Sequence, residues 1–226
     1  MITNEHWTER TGCRRRRGSF ALAVGLLVAT GGCGPDFGAL FYHLGWVPQQ
    51  KVSAEYRLPP GPVLILVDDD LDLVQPSLAR RALVDALAKE LKSHNITDRV
   101  TTNEELARLR QAVPDFDQLS IREVGRRANA DTVLWMSVED FSVEDDLERL
   151  VTPARFTLKL KVFNARAEHK KDVRLWPPER QGRFISVKVS PQDARACKSL
   201  AGVHRKIAAV MADKIARLFY DYTVER

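Results

Sequence analysis

The sequence has few of the residues that build most catalytic and metal sites. Its 226 residues include three cysteines and five histidines, and the histidines are scattered, without the short spacings typical of metal ligands. It also lacks a glycine-rich phosphate loop and a nucleophile elbow. Signatures of zinc enzymes, nucleotide-binding proteins and α/β hydrolases are therefore missing, and we predict no cofactor and no metal ion.

The main part of the sequence also lacks an excess of charge of one sign. The formal net charge is +5, but residues 1–32 contribute five arginines and only two glutamates. Subtracting these from the totals of 35 basic and 30 acidic residues leaves 30 against 28. This balance gives no support for nucleic-acid binding. A composition of 44% hydrophobic and 29% charged residues is that of a globular protein.

The N-terminal segment has the organisation of an export signal. Four arginines, Arg14–Arg17, precede an apolar run over residues 20–29, and small residues then lead to Cys33. The run is shorter than the roughly 20 residues of a membrane-spanning helix, and the order of the three parts is typical of a secretory signal. The sequence TGGC resembles the bacterial lipoprotein signal, although a threonine stands where leucine is commonest. The resemblance implies cleavage before Cys33 and attachment of fatty acids, such as palmitate, to its thiol.

These features divide the chain into three predicted regions. Residues 1–32 form a lipoprotein signal peptide, residues 33–60 a lipid-anchored tether and residues 61–226 a single α/β domain. The tether contains glycine, proline and aromatic residues without a regular period, and a Pro-Pro-Gly sequence closes it. After cleavage and acylation Cys197 is the remaining free thiol, so no intrachain disulfide is expected. We expect Cys197 to be a buried structural thiol at the start of a helix.

The rest of the sequence alternates between strand and helix patterns. The apolar run VLILV, residues 63–67, indicates a strand buried on both faces, and alternating residues in ARFTLKLKVFNA and RFISVKVSP indicate antiparallel strands. Capping boxes at Thr102 and Ser120 predict two helix starts. Apolar residues recur at helical spacing over residues 83–91, and again over residues 200–219 in a long C-terminal amphipathic helix. This order predicts an α/β (α+β) sandwich, with a mixed sheet of about five strands flanked by helices.

The acidic cluster in VLILVDDDLD is the strongest candidate for chemistry. Paired acids at this place hold magnesium in receiver domains, but no receiver-like strand ending in lysine follows. Asp68 and Asp70 also match the D-x-D of haloacid-dehalogenase-type phosphatases. Aspartates are equally favoured in turns, because their carboxylates accept hydrogen bonds from backbone N–H groups. We favour the turn and predict no catalytic residue, with a magnesium-dependent phosphatase-like hydrolase using Asp68–Asp70 as the alternative.

The order of elements over residues 62–222 resembles that of a group of bacterial envelope proteins. The segments that carry the resemblance are VLILVDD, VTTNEELARL, IREVGRRANADTVLWMSVEDF, RLWP and the C-terminal helix. The group includes the curli-secretion lipoprotein, lipoprotein activators of penicillin-binding proteins, a lipoprotein of the Pel polysaccharide exporter and the amino-terminal domain of the Tol-Pal translocation protein.

The resemblance implies a non-enzymatic binding or scaffolding module that supports an envelope assembly or export complex. Cys33 would anchor it in the outer membrane, facing the periplasm. In some bacteria an aspartate directly after the acylated cysteine resembles a signal for retention in the inner membrane, and this chain has Gly34 at that position. The expected partners are the membrane, through the N-terminal lipid, and other envelope proteins or a glycan-handling complex. No nucleic-acid partner is expected, and formation of a homo-oligomer is left open.

Overall fold

A mixed β-sheet with helices on both faces organises the chain. The computed structural model describes residues 49–69, 78–144 and 151–225. The elements are β1 (Gln49–Val52), β2 (Val63–Asp68), α1 (Leu78–Ser93), β3 (Val100–Thr101), α2 (Asn103–Ala112), α3 (Ile121–Arg127), β4 (Thr132–Ser142), β5 (Ala154–Asn164), β6 (Arg174–Trp176), β7 (Arg183–Val189), α4 (Pro191–Ala196), α5 (Leu200–Ala216) and β8 (Tyr222–Glu225).

The main sheet combines a parallel and an antiparallel half. Its order is β3-β2-β4-β5-β6, and β7 also pairs with β5. Strand β2 is parallel to β3 and β4, whereas β5 is antiparallel to β4, β6 and β7. The predicted mixed sheet is confirmed. The apolar residues 63–67 are all buried, as expected of a strand covered on both faces.

Helices α1 and α5 cover one face of the sheet, which we call the inner face. The two helices also pack against each other, because each has an apolar stripe at helical spacing. Side chains from β2, β4, β5 and β7 meet them in one core. Its fully buried members include Leu83, Leu87, Met136, Phe156, Leu158, Leu160 and Ile207.

The opposite face is covered over β2 and the first half of β4. A smaller apolar cluster there includes Leu64, Val133 and Val124 of α3. Helix α3 approaches the sheet closely, since a Cβ added at Gly125 would lie 2.6 Å from Val133 Cγ2. Both predicted capping boxes are confirmed, at Thr102 for α2 and at Ser120 for α3. Helix α2 has no buried residue.

A two-stranded sheet joins the two ends of residues 49–225. Strand β1 pairs antiparallel with β8, with Val52 opposite Tyr222. Tyr56 then donates its backbone N–H to the Leu218 carbonyl, and its ring stacks on Trp176 at a centroid distance of 5.9 Å. The compact unit thus begins at Gln49, so the end of the segment assigned to the tether, residues 49–60, packs on the domain.

Two local features near the C-terminus differ from the sequence-based expectations. Helix α5 ends at Ala216 and the chain continues into β8, a short strand that depends on its distant partner β1. Cys197 caps the end of the short helix α4 and is not at a helix start. It is half-buried, with Sγ 3.2 Å from the Asp193 carbonyl oxygen.

Candidate functional site: the acidic strand end and the open sheet face

The acidic cluster begins where β2 leaves the sheet. Asp68 is the last residue of β2 and pairs with Ser137 of β4. Its Oδ2 accepts a hydrogen bond from the Trp135 indole N–H at 3.3 Å. Both side chains are half-buried, so the carboxylate has a structural task in orienting the indole. Asp70, the second residue of the D-x-D pattern, lies outside the described residues, as does Asp72, the last aspartate of the cluster.

A pocket of about 240 Å³ adjoins this hydrogen bond. Asp68 and Asp117 contribute carboxylates, Arg110 a guanidinium, and Trp135 and Phe116 aromatic rings. Arg110 also lies 5.3 Å above the Phe116 ring. Such a lining suits a small polar molecule with an apolar face. Within the described ranges, no group of His, Cys, Asp or Glu side chains could hold a metal ion.

A larger cleft of about 510 Å³ separates α1 from α2 near the same end of β2. Its polar lining has both signs of charge, from Arg80, Arg81 and Arg110 and from Asp85 and Glu104. Asn103 Nδ2 donates a hydrogen bond to Asp85 Oδ1 at 2.9 Å and links the two helices. The cleft therefore selects no single charge class of ligand.

The antiparallel half of the sheet presents a polar surface opposite its buried core. Side chains of β5 and β7 alternate between buried and accessible along each strand, because successive residues of a strand point to opposite faces. The accessible set defines what we call the open face, composed of Trp135, Ser137, Glu139, Asp140, Arg155, Thr157, Lys159, Lys161, Arg174, Phe184, Ser186 and Lys188.

Two lysines of β5 lie over aromatic rings on the neighbouring strands. Lys161 Nζ is 5.0 Å from the centroid of Trp135, and Lys159 Nζ is 5.1 Å from the centroid of Phe184. Lys159 also forms an ion pair with Glu139 at 2.7 Å. The aromatic faces thus help to hold the cations on the open face. Phe184 itself is 52% exposed.

The open face is predominantly basic. It has two acidic side chains, with Asp68 of β2 adjoining them, and five cationic ones: Arg155, Lys159, Lys161, Arg174 and Lys188. Partial burial, followed by the neighbouring charges of Arg174 and Lys159, lowers the pKa of Lys161. Like charges on these strands therefore act on one another, and an anion at the face would relieve that repulsion.

The other side chains singled out from the sequence do not converge on this site. Cys33 and His43 lie outside the described residues. His94 stacks on Tyr220 at 3.7 Å, His204 is buried in α5 and His169 is exposed. Across the described ranges, no helix is both long and apolar enough to span a membrane.

From the sequence alone the strands after residue 154 are a candidate contact surface, but the individual residues of the open face are not identified. The alternation in ARFTLKLKVFNA contained the signal, since Arg155, Lys159 and Lys161 all fall on its polar phase. The residues that complete the face come from β4, β6 and β7. Their register with β5 brings Trp135 opposite Lys161 and Lys188 opposite Arg155, which the local sequence does not specify.

Known proteins resemble this chain in structure but not in sequence. No family model and no curated protein matches the sequence. The PelC dodecamer from Paraburkholderia phytofirmans is similar with a TM-score of 0.44 and 11% identity, over 76% of this chain and 98% of that one. The lipoprotein GNA1162 from Neisseria meningitidis gives a TM-score of 0.41 and 14% identity, over 70% and 99%.

TolB from Acinetobacter baumannii is a more distant likeness, with a TM-score of 0.32 and 10% identity over 76% of this chain and 31% of that one. The names PelC and TolB correspond to two of the proteins that the sequence pattern resembles. Likenesses at these TM-scores and identities establish no activity, partner or assembly for this chain.

Proposed function

We propose that the protein is a lipid-anchored, non-enzymatic binding or scaffolding module of the bacterial cell envelope. The observation that carries the proposal is the order of its N-terminal segments. An arginine cluster, a short apolar run and small residues end at Cys33, and the compact unit starts sixteen residues later, at Gln49. This arrangement suits a folded module on a short tether, facing the periplasm from the outer membrane.

The structure of the acidic strand end supports a binding role over a hydrolytic one. A nucleophilic aspartate needs an accessible carboxylate oxygen directed at the phosphorus of a bound substrate. Asp68 Oδ2 instead accepts the Trp135 indole N–H, and this hydrogen bond joins β2 to β4. The open face, with its cations and exposed aromatic ring, offers a surface for a partner rather than a cleft for chemistry.

Metabolic labelling with a fatty-acid analogue tests the anchor. The wild-type chain and a Cys197→Ser variant should both be labelled and recovered with outer membranes, whereas Cys33→Ser should be unlabelled. Cys197→Ser is the matched control because it removes the other thiol of the region after residue 32. An unlabelled wild-type chain, or label that persists in Cys33→Ser, would contradict lipid anchoring at this residue.

A second experiment addresses the alternative hydrolase. The purified protein is assayed with magnesium against a panel of phosphate monoesters, beside Asp68→Asn. This substitution keeps an oxygen that can accept the indole N–H but removes the nucleophilic carboxylate. We expect no turnover above the buffer rate from either protein. Turnover by the wild type that Asp68→Asn abolishes would replace the binding proposal with the phosphatase-like one.

A further inference from the structure

The charge of the open face departs from that of the chain as a whole. Residues 33–226 have nearly equal numbers of basic and acidic side chains, 30 against 28. On the open face the ratio is five to two, and five to three with the adjoining Asp68, which lies opposite Ser137. Both acidic residues there are engaged, Glu139 with Lys159 at 2.7 Å and Asp140 with Arg155 at 3.8 Å. Cations are thus concentrated on one surface instead of being spread evenly.

Three of the five cations are not neutralised by an ion pair, although the charge of Glu139 acts on Lys161 from a distance. Among the described residues, no carboxylate forms an ion pair with Lys161, Arg174 or Lys188. Lys188 moreover lies directly opposite Arg155 in the β5–β7 pair. Like charges at directly opposed positions of an antiparallel pair destabilise a sheet. An anion bound at this face would offset the cost of this arrangement.

The positions of the cations favour an extended surface of negative charge over a single anionic chain. They lie in two rows, with Lys161 on β5 and with Arg174 of β6 and Lys188 of β7 along the same edge of β5. Lys188 lies opposite Arg155, so along β5 it is six residues, or about 20 Å, from Lys161. A membrane leaflet has phosphate groups over a whole plane, whereas an acidic peptide would follow one line. Exposed Phe184, on β7, adds an apolar side chain of the kind that enters the boundary between headgroups and acyl chains.

The chain between Cys33 and the compact unit is short. Glu55, just after β1, forms an ion pair with Arg183 at 2.7 Å, and Arg183 lies opposite Leu160, on the phase of β7 that points away from the open face. Cys33 and Gln49 are sixteen residues apart, which an extended chain spans in at most about 55 Å. A domain held this close to a membrane has a high effective concentration at its surface, so weak contacts suffice for docking.

We propose that the open face docks on an anionic lipid surface, with Lys161, Arg174 and Lys188 against headgroup phosphates. The docking rests on the proposed function for its location, because a lipid on Cys33 would bring the face to the bilayer. It would supply a second attachment beside the lipid chains and would fix which side of the domain points to the periplasm.

Vesicle binding by the unlipidated protein tests the docking independently of the anchor. The chain from residue 33 onward with Cys33→Ser contains the whole compact unit, residues 49–225. Its binding to vesicles of phosphatidylcholine with phosphatidylglycerol is compared with binding to pure phosphatidylcholine at low salt. We expect binding to the anionic vesicles only, weakened at about 0.5 M salt by screening.

Two double variants locate the binding surface. Lys161→Glu with Lys188→Glu should raise the apparent Kd for the anionic vesicles by about tenfold or more. Lys89→Glu with Lys92→Glu changes the charge equally on exposed positions of α1, and should leave binding near that of the parent chain. Equal urea midpoints and circular dichroism spectra must accompany the comparison. If a reversal variant unfolds, Lys161→Gln with Lys188→Gln replaces it.

The outcomes separate this proposal from the anchor and from a protein partner. Binding to anionic vesicles that is lost in the open-face variant alone supports the docking, whatever the labelling of Cys33 shows. No binding to anionic vesicles, or equal loss in both double variants, overturns it. Retention of the chain on immobilised polyglutamate through Lys161 and Lys188, without vesicle binding, also overturns it and assigns the face to an acidic protein partner.

Discussion

The two faces of strand β5 are built from alternate residues of one sequence, but one face is buried in the core and the other is accessible to solvent. Leu158 and Leu160 point inward and are fully buried beneath α1 and α5. Thr157, Lys159 and Lys161 point outward and remain accessible. The inner face explains why the domain folds, because its apolar side chains leave water. The open face contributes little to that process, so its composition is free to follow a binding function.

The largest contrast is expected from substitutions at two adjacent residues of β5. Leu160→Ala should reduce the free energy of unfolding by about 2–5 kcal/mol, because it removes apolar contacts and leaves a cavity. Lys161→Ala should cost about 1 kcal/mol or less, since the change loses one cation–π contact but relieves repulsion from Arg174 and Lys159. Urea denaturation of both variants measures the difference. Similar losses would show that both faces stabilise the fold.

The inner face was predictable from the sequence because its signals are local. A continuous apolar run gave β2, helical spacing gave α1 and α5, and Ser/Thr-x-x-Glu patterns gave the starts of α2 and α3. Each of these depends on residues within a few positions of one another. The mixed sheet followed from the order of the elements.

The remaining features depend on pairings between distant residues. Strand β1 exists because Gln49–Val52 meets Tyr222–Glu225, and neither segment has a strong strand pattern alone. The Asp68–Trp135 hydrogen bond requires β2 beside β4. The cations of the open face were visible in the alternation of β5, but their concentration depends on the register of β6 and β7. The sequence therefore indicates the acidic cluster and the strands after residue 154 as candidate surfaces, but not the set of cations that the sheet brings together.

The helices that cover the two faces should respond differently to loss of a cap. Ser120→Ala removes the cap of α3, whose Val124 and Gly125 are buried, and should reduce the free energy of unfolding by about 1 kcal/mol. Thr102→Ala removes the equivalent cap of α2, which has no buried residue. Its effect should be mainly local, as faster hydrogen exchange of the α2 amides with a smaller shift of the urea midpoint. A larger global loss from Thr102→Ala would contradict this ranking.

The β1–β8 sheet should contribute a smaller, pH-dependent part of the stability. A hydrogen bond from the Ala54 backbone N–H, and then the charges of Arg57 and Lys51, lower the pKa of Asp221 below its ordinary value of 3.8. A lowered pKa in the folded state gives stability that is present above the ordinary pKa and is lost as pH falls through the folded-state value.

Asp221→Asn tests this contribution. The substitution removes the charge that attracts Arg57, which lies 3.1 Å from Asp221 Oδ1, while it keeps an oxygen able to accept the Ala54 N–H. The variant should therefore unfold at lower urea than the wild type at about pH 7, and the gap should narrow as the pH falls below 3.8, the ordinary pKa of an aspartate. Arg180→Gln, at an exposed position, should show no such pH-dependent gap. A gap that persists in acid would assign the effect to packing instead.

The smallest effect on the free energy of unfolding is expected at Lys188, a cation of the open face. Lys188 lies opposite Arg155, so Lys188→Glu converts a like-charge pair into an attractive one. The free energy of unfolding should stay within about 0.5 kcal/mol of the wild type, or rise slightly. Val189→Ala, one residue further on but directed into the core, serves as the control and should be clearly destabilising. A Lys188→Glu variant that is destabilised as much as Val189→Ala would mean that the lysine supports the fold. An unchanged or higher stability leaves the cation without a structural role, as expected of a residue used for binding.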